Sequence, residues 1–183
     1  LVNNAGINIP RLLVDPAGVQ ELSEQIWDKV MNVNVKGLFF CSQAAARVMV
    51  KKQSGVIINM SSECGLEGSE GQSVYAASKA AVNGLTRSWA KELGKHHIRV
   101  VGVAPGILEA TGLRTQSYEE ALSYTRGITV EQLRAGYSKT STTPLGRSGK
   151  LTEVASTVAF LSSDQAGYIH GTTINVAGGK TRG

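Results

Sequence analysis

Apolar positions along the chain fall into two kinds of run. LVNNAG at the start, GVIINMSS from Gly55, IRVVGVAPG from Ile98 and HGTTINVAGG from His170 are short, rich in β-branched residues and closed by turn formers, which predicts strands. Between them apolar residues recur every three to four positions, as on one face of a helix. Helices are expected from Ser23 to about Lys51, from about Val74 to Lys95, near 118–125 and 130–138, and over Leu151–Ser163. Ser23 and Thr152 are the expected caps of the first and last. Asn32 and Asn34, poor helix formers, interrupt the first.

Strand, helix, strand, helix, strand is the order of an α/β fold with right-handed parallel crossovers, here in one domain over residues 1–183. Ligands of such sheets sit beyond the carboxyl ends of the strands, where Gly6, Ser62 and Gly106 fall. Asn3, Asn4 and Gly6 suit either a ligand's close approach or a plain turn. Residues 107–150 are less regular, and a loop region that long is usually functional or mobile. It carries Arg114, Arg126, Arg134, Lys139 and Arg147, each able to meet an anionic group or simply be solvated.

Composition narrows the classes. With 42% hydrophobic and 18% charged residues, the chain has the makings of a globular core. Its net charge of +5 is spread without basic clusters, which argues against a nucleic-acid partner, and the tail KTRG adds two of the positive charges. No apolar run reaches the ~18 residues of a membrane span, and a cytoplasmic protein is expected. Cys41, Cys64, His96, His97 and His170 have no metal-ligand spacing, so no metal is expected.

One constellation can do chemistry. Tyr75 and Lys79, four apart on a helix, share a face, so the ammonium can favour ionisation of a phenol whose ordinary pKa is about 10. Ser62 lies across a Gly-rich loop able to bring its hydroxyl beside the phenol. Chance spacing, with an ordinary Tyr and a solvated Lys, is the bland alternative. Two hydroxyls and a cation converging on one carbonyl or alcohol oxygen are the sharper one.

NNAG at 3–6, NVNVKG at 32–37, INMSS ending at Ser62, YAASK at 75–79, VAPG at 103–106 and the terminal INVAGG resemble the short-chain dehydrogenase/reductase family, in family order along the whole chain. The resemblance implies the carboxyl-terminal part of a doubly wound, Rossmann-like parallel sheet lacking its first strands. It makes Asn34, Ser62, Tyr75 and Lys79 the catalytic tetrad. Tyr75 would exchange the hydroxyl proton while hydride moves to or from nicotinamide. Ser62 would hold the reacting oxygen, Lys79 would lower the tyrosine pKa and bind the ribose, and Asn34 would hold a relay water. Asn4, Ala5, Gly6, Pro105, Gly106 and Ile107, with Tyr75 and Lys79, would line the cofactor, NAD or else NADP.

Two departures from the family pattern stand out. The phosphate turn T-G-x-x-x-G-x-G is absent because the chain opens at what resembles the fourth strand; at about 30 residues per βαβ unit, roughly 80 residues would precede it. The isolated segment is therefore expected to bind NAD negligibly and to be inactive by itself. Where the family often has threonine four residues after Gly106, Ala110 stands here, with Thr111 next. Stretches at 61–82, 104–115 and 174–183 resemble family members acting on sugar-alcohol phosphates, implying a phosphorylated polyol or ketose substrate touching Ser62, Glu63, Arg114 and Arg147. The alternatives are a 3-oxoacyl or general carbonyl reductase, which an apolar substrate loop would favour, and a non-catalytic fragment. The family commonly assembles as homotetramers through helices matching residues 22–51 and 74–95 and the last strand.

Overall fold

The computed structural model describes residues 1–181; Arg182 and Gly183 lie outside the described residues. Strands β1 (Val2–Asn3), β2 (Gly55–Met60), β3 (Ile98–Pro105) and β4 (Thr173–Val176) are all parallel and lie in that order across one sheet. The helices are α1 (Glu24–Met31), α2 (Leu38–Lys52), α3 (Cys64–Glu67), α4 (Ser73–Leu93), α5 (Gln116–Thr125), α6 (Val130–Gly136) and α7 (Leu151–Ser162).

Most of these boundaries follow from local chemistry. The Ser23 hydroxyl accepts the Ile26 N–H at 3.3 Å, capping α1. Thr129 and Gln132 cap α6 reciprocally, at 2.9 and 3.2 Å. Thr152 is not a cap: α7 starts one residue earlier, and the N–H of Lys150 donates to Glu153 Oε2 at 2.7 Å. The interruption at Asn32 is real but does not end the helix. Asn32–Gly37 form a π-helical segment joining α1 to α2, a wider winding that often marks functional positions.

Pleating sends alternate side chains of β2 and β3 to opposite faces. Ile57, Ile98 and Val100 pack against Ala46, Met49 and Val50 of α2 and Trp89 and Ala90 of α4. Ile58, Val101 and Val103 pack instead against Val154, Val158 and Leu161 of α7. Each such side chain contributes about 1.5–3 kcal/mol on full burial, so these two apolar layers dominate the fold. On the α2 and α4 side also runs a chain of satisfied polar groups. Asn3 donates to Ser42 and to Asn59, each at 2.8 Å, and Asn59 donates to Thr86 at 3.0 Å. Asn3 is therefore a structural residue holding β1 to β2.

The faces have a topological consequence. All three connections step the same way across the sheet, yet α2 and α4 lie on one side and α7 on the other. The β3–β4 connection thus has the hand opposite to the first two. It changes sides by passing residues 107–150 over the carboxyl ends of the strands, where that excursion walls a cavity.

Candidate active site

At the end of β2 the two serines part company. Ser61 is tied down: its N–H donates to the Val103 carbonyl at 2.7 Å and its hydroxyl to the Lys79 carbonyl at 3.3 Å. Both serines border the cavity, but the Ser62 hydroxyl keeps its proton, with Oγ only accepting the Cys64 N–H at 3.3 Å. The predicted Gly-rich loop contains α3, and Gly65 lets it press on α4; a Cβ there would lie 2.6 Å from the Lys79 carbonyl carbon. This approach brings Ser62 to the face of α4 that carries Tyr75 and Lys79, both also on the cavity wall.

The electrostatics differ from expectation. Burial pushes the Tyr75 phenol up to about 12, with the neighbouring Cys64 and Glu63 acting the same way and the Ser62 hydroxyl against them. Burial also drives Lys79 down to about 8. The Lys79 ammonium does not lower the tyrosine here: it sits 5.6 Å from the ring centroid and donates at 2.8 Å to the Met60 carbonyl. Desolvation of both groups outweighs their attraction, leaving Tyr75 a firm proton holder and Lys79 a ready proton donor.

Asn34 is 1% exposed and lies behind the cavity wall. Its Oδ1 accepts the Ile7 N–H at 2.8 Å, and its amide donates to the Ile7 carbonyl at 2.9 Å and to Ser78 Oγ at 3.0 Å. Ser78 in turn donates to the Tyr75 carbonyl at 2.7 Å. The π-segment thus clamps the NNAG turn to the tyrosine helix, and both amide protons of Asn34 are committed. A methyl on Gly6 would fall 3.5 Å from Asn34 Oδ1 and 3.6 Å from Lys79 Nζ, in the space fronting the ammonium.

The cavity, about 1160 Å³, takes in Asn4, Ala5, Gly6, Pro105 and Ile107 as expected. Gly106 is not on its wall: its N–H donates to Val176 at 3.0 Å, and a Cβ would lie 2.7 Å from that of Ala177. Thr111 reaches the wall and Ala110 does not. Glu63 is on the wall but already bound, paired with Lys180 at 2.9 Å and accepting from Thr181 at 3.2 Å. Burial raises its pKa, with Lys180 opposing. Lys180 also pairs with Glu67 at 2.8 Å. Neither lysine partner was visible in sequence, since the tail meets Glu63 only once β4 is in place.

Among the basic residues of 107–150, Arg114 and Arg126 reach the cavity. Arg114 stacks on Tyr137 at 4.6 Å, donates to the Leu108 carbonyl at 2.9 Å and pairs with Glu119 at 3.8 Å. Arg147 does not belong to the site: it is exposed and held by Glu153 through contacts of 2.6 and 2.9 Å. The cavity side of this segment mixes polar residues such as Thr111, Tyr118 and Gln132 with apolar ones. The apolar ones are Leu113, Leu122, Ile128 and Leu133. Among the described residues no His, Cys, Asp and Glu cluster could hold a metal ion, and no helix is long and apolar enough to cross a membrane.

Comparison with known proteins shows what the chain is similar to. A family model described as enoyl-(acyl carrier protein) reductase matches residues 1–181. Sorbitol-6-phosphate 2-dehydrogenase of Klebsiella pneumoniae is 67% identical, the alignment covering 100% of this chain and 69% of that protein. The 3-oxoacyl-[acyl-carrier-protein] reductase FabG of Thermotoga maritima is 42% identical, over 98% of this chain and 64% of its own length. A crystal structure described as a short-chain alcohol dehydrogenase from Sinorhizobium meliloti 1021 superposes with a TM-score of 0.83 at 34% identity, over 98% of this chain and 64% of that one. The chain therefore spans roughly two thirds of each relative's length.

Proposed function

Because the chain belongs to the short-chain dehydrogenase/reductase family, we propose that it carries the catalytic half of a dehydrogenase that interconverts D-sorbitol 6-phosphate and fructose 6-phosphate. The observation that carries this reading is the convergence of Ser62, Tyr75 and Lys79 on one cavity, in a chain 67% identical to a sorbitol-6-phosphate 2-dehydrogenase.

The residues present fit a nicotinamide cofactor, NAD by the likeness to that relative. Lys79 spends one of its three N–H donors on Met60, leaving two for a ribose diol. The bare backbone at Gly6 keeps open the space before that ammonium. When bound, the cofactor supplies or accepts the hydride. Ser62 Oγ, with its proton free to donate, holds the reacting oxygen. Tyr75, protonated across neutral pH, gives its proton to the ketone oxygen during reduction; in oxidation the phenol first passes its own proton toward Lys79 and then takes the alcohol's. Lys79, readily deprotonated near pH 8, passes protons onward. Asn34 and Ser78 position this machinery through Ile7 and the Tyr75 carbonyl.

The apolar part of the cavity supports a second reading, a 3-oxoacyl reductase, with which the chain shares 42% identity. Steady-state assays of a protein carrying this chain separate the two. The first reading expects NADH formation from D-sorbitol 6-phosphate well above that from sorbitol, and loss of turnover in Tyr75→Phe with the thermal melt retained. Preference for a 3-oxoacyl thioester would replace it with the second.

A further inference from the structure

Resting on that reading of the substrate, we propose that Arg126, seated on Ser69, is the group that receives the substrate's phosphate. Among the described residues four cations line the cavity, and three are engaged. Lys79 serves the reacting end. Lys180 is held between Glu63 and Glu67, at 2.9 and 2.8 Å. Arg114 has Glu119, the Tyr137 ring and the Leu108 carbonyl. Arg126 has no carboxylate against it among the described residues; its one side-chain hydrogen bond is Nη2 to Ser69 Oγ, at 3.1 Å.

The seat beneath Arg126 is built. Gly71, at φ +74°, comes so close to α5 that a Cβ would lie 2.1 Å from Thr125 Oγ1, and this contact sets the 68–72 loop under the end of that helix. Gln72, buried at the start of α4 three residues before Tyr75, donates from Nε2 to Ser69 Oγ at 2.8 Å. Its Oε1 accepts from Tyr118 at 3.4 Å and from Asn8. Ser69 Oγ thus accepts twice and keeps its own proton to donate, beside a guanidinium with four further N–H donors. A helix-end arginine with only a solvation role would reach outward, whereas Arg126 and Ser69 both line the cavity that holds Tyr75. Such a pair offers bidentate, charge-assisted donors to a phosphate, leaving the polyol to span toward Ser62 and Tyr75.

Isothermal titration with fructose 6-phosphate, inorganic phosphate and fructose tests this without turnover. The wild-type protein is expected to prefer fructose 6-phosphate to fructose. Arg126→Ala should weaken fructose 6-phosphate about 10- to 100-fold, the range for a lost charge-assisted contact. Fructose binding should be unchanged, Arg126→Lys should restore part of the loss, and Arg147→Ala should have no effect. Inorganic phosphate should bind weakly and follow the same order of variants. A phosphate preference that survives Arg126→Ala, with a native melt, overturns the Arg126 assignment alone. Absence of any preference in the wild type overturns the functional reading and the assignment with it. Should Arg126→Ala not fold, Arg126→Gln and Arg126→Lys decide, since only the latter keeps a charge.

Discussion

Lys79 holds an ammonium that is 5% exposed and has a single hydrogen bond, to the Met60 carbonyl. Its fall from 10.5 to about 8 corresponds, at about 1.36 kcal/mol per unit, to roughly 3 kcal/mol spent on keeping a cation in the site. The unfolded chain binds a proton that the folded chain releases near pH 8, so stability should rise with pH from about 8 to 10.5, the full penalty applying below 8. Tyr75 works the other way: raised from 10.0 to about 12, it makes stability fall with pH across that interval. Lys79→Met should abolish turnover yet stabilise the fold by about 1–2 kcal/mol, since removing the buried charge outweighs the roughly 1 kcal/mol of the Met60 hydrogen bond. Urea denaturation at pH 7 and pH 10 checks this: the variant's advantage should shrink at the higher pH, and a variant weaker than wild type at pH 7 would contradict the argument.

At the scale of elements, the contact between α3 and α4 decides whether Ser62 meets Tyr75. Gly65→Ala would set a methyl 2.6 Å from the Lys79 carbonyl carbon, against backbone that cannot yield cheaply. A loss of about 1–3 kcal/mol is expected from such overpacking, with kcat falling because the serine is displaced; a chemical melt and kinetics on the same preparation report both. The strands and long helices were legible because local chemistry decides them: β-branched runs made β2 and β3, and Ser23 is a cap on its own account. The trio of Ser62, Tyr75 and Lys79 was legible because helix spacing fixes two members. Other features depend on partners distant in sequence. Nothing near Asn34 announces a π-segment that clamps Ile7. Arg147 reads as a free cation until Glu153 lies beside it, and Lys79 reads as an activator of Tyr75 until burial is counted. Thr152 looks like a cap, but the chain turns into α7 one residue sooner.

At the scale of the molecule, one stretch of surface is conspicuously apolar. Trp27, Phe39, Phe40 and Val48 along α1 and α2 are 43, 37, 54 and 53% exposed, and the two phenylalanine rings lie 5.2 Å apart. Patches of this kind mark contact surfaces, and we propose that copies of this protein assemble through these helices. Phe40→Glu should lower the sedimentation coefficient toward that of a smaller species while leaving the circular dichroism spectrum intact. An unchanged sedimentation profile would remove this face from the interface.

The side change between β3 and β4 also bears on how the chain is made. During synthesis, β1, β2, β3, α2 and α4 all emerge before α7. At that moment the helices over Ile57 and Val100 are available, but α7, which packs on Ile58, Val101 and Val103 of the opposite face, is not. A nascent chain paused between residues 107 and 150 would leave this apolar sheet face without α7 and open to contact with another nascent chain. That interval is where assistance from a chaperone matters most, and where slow translation is most hazardous.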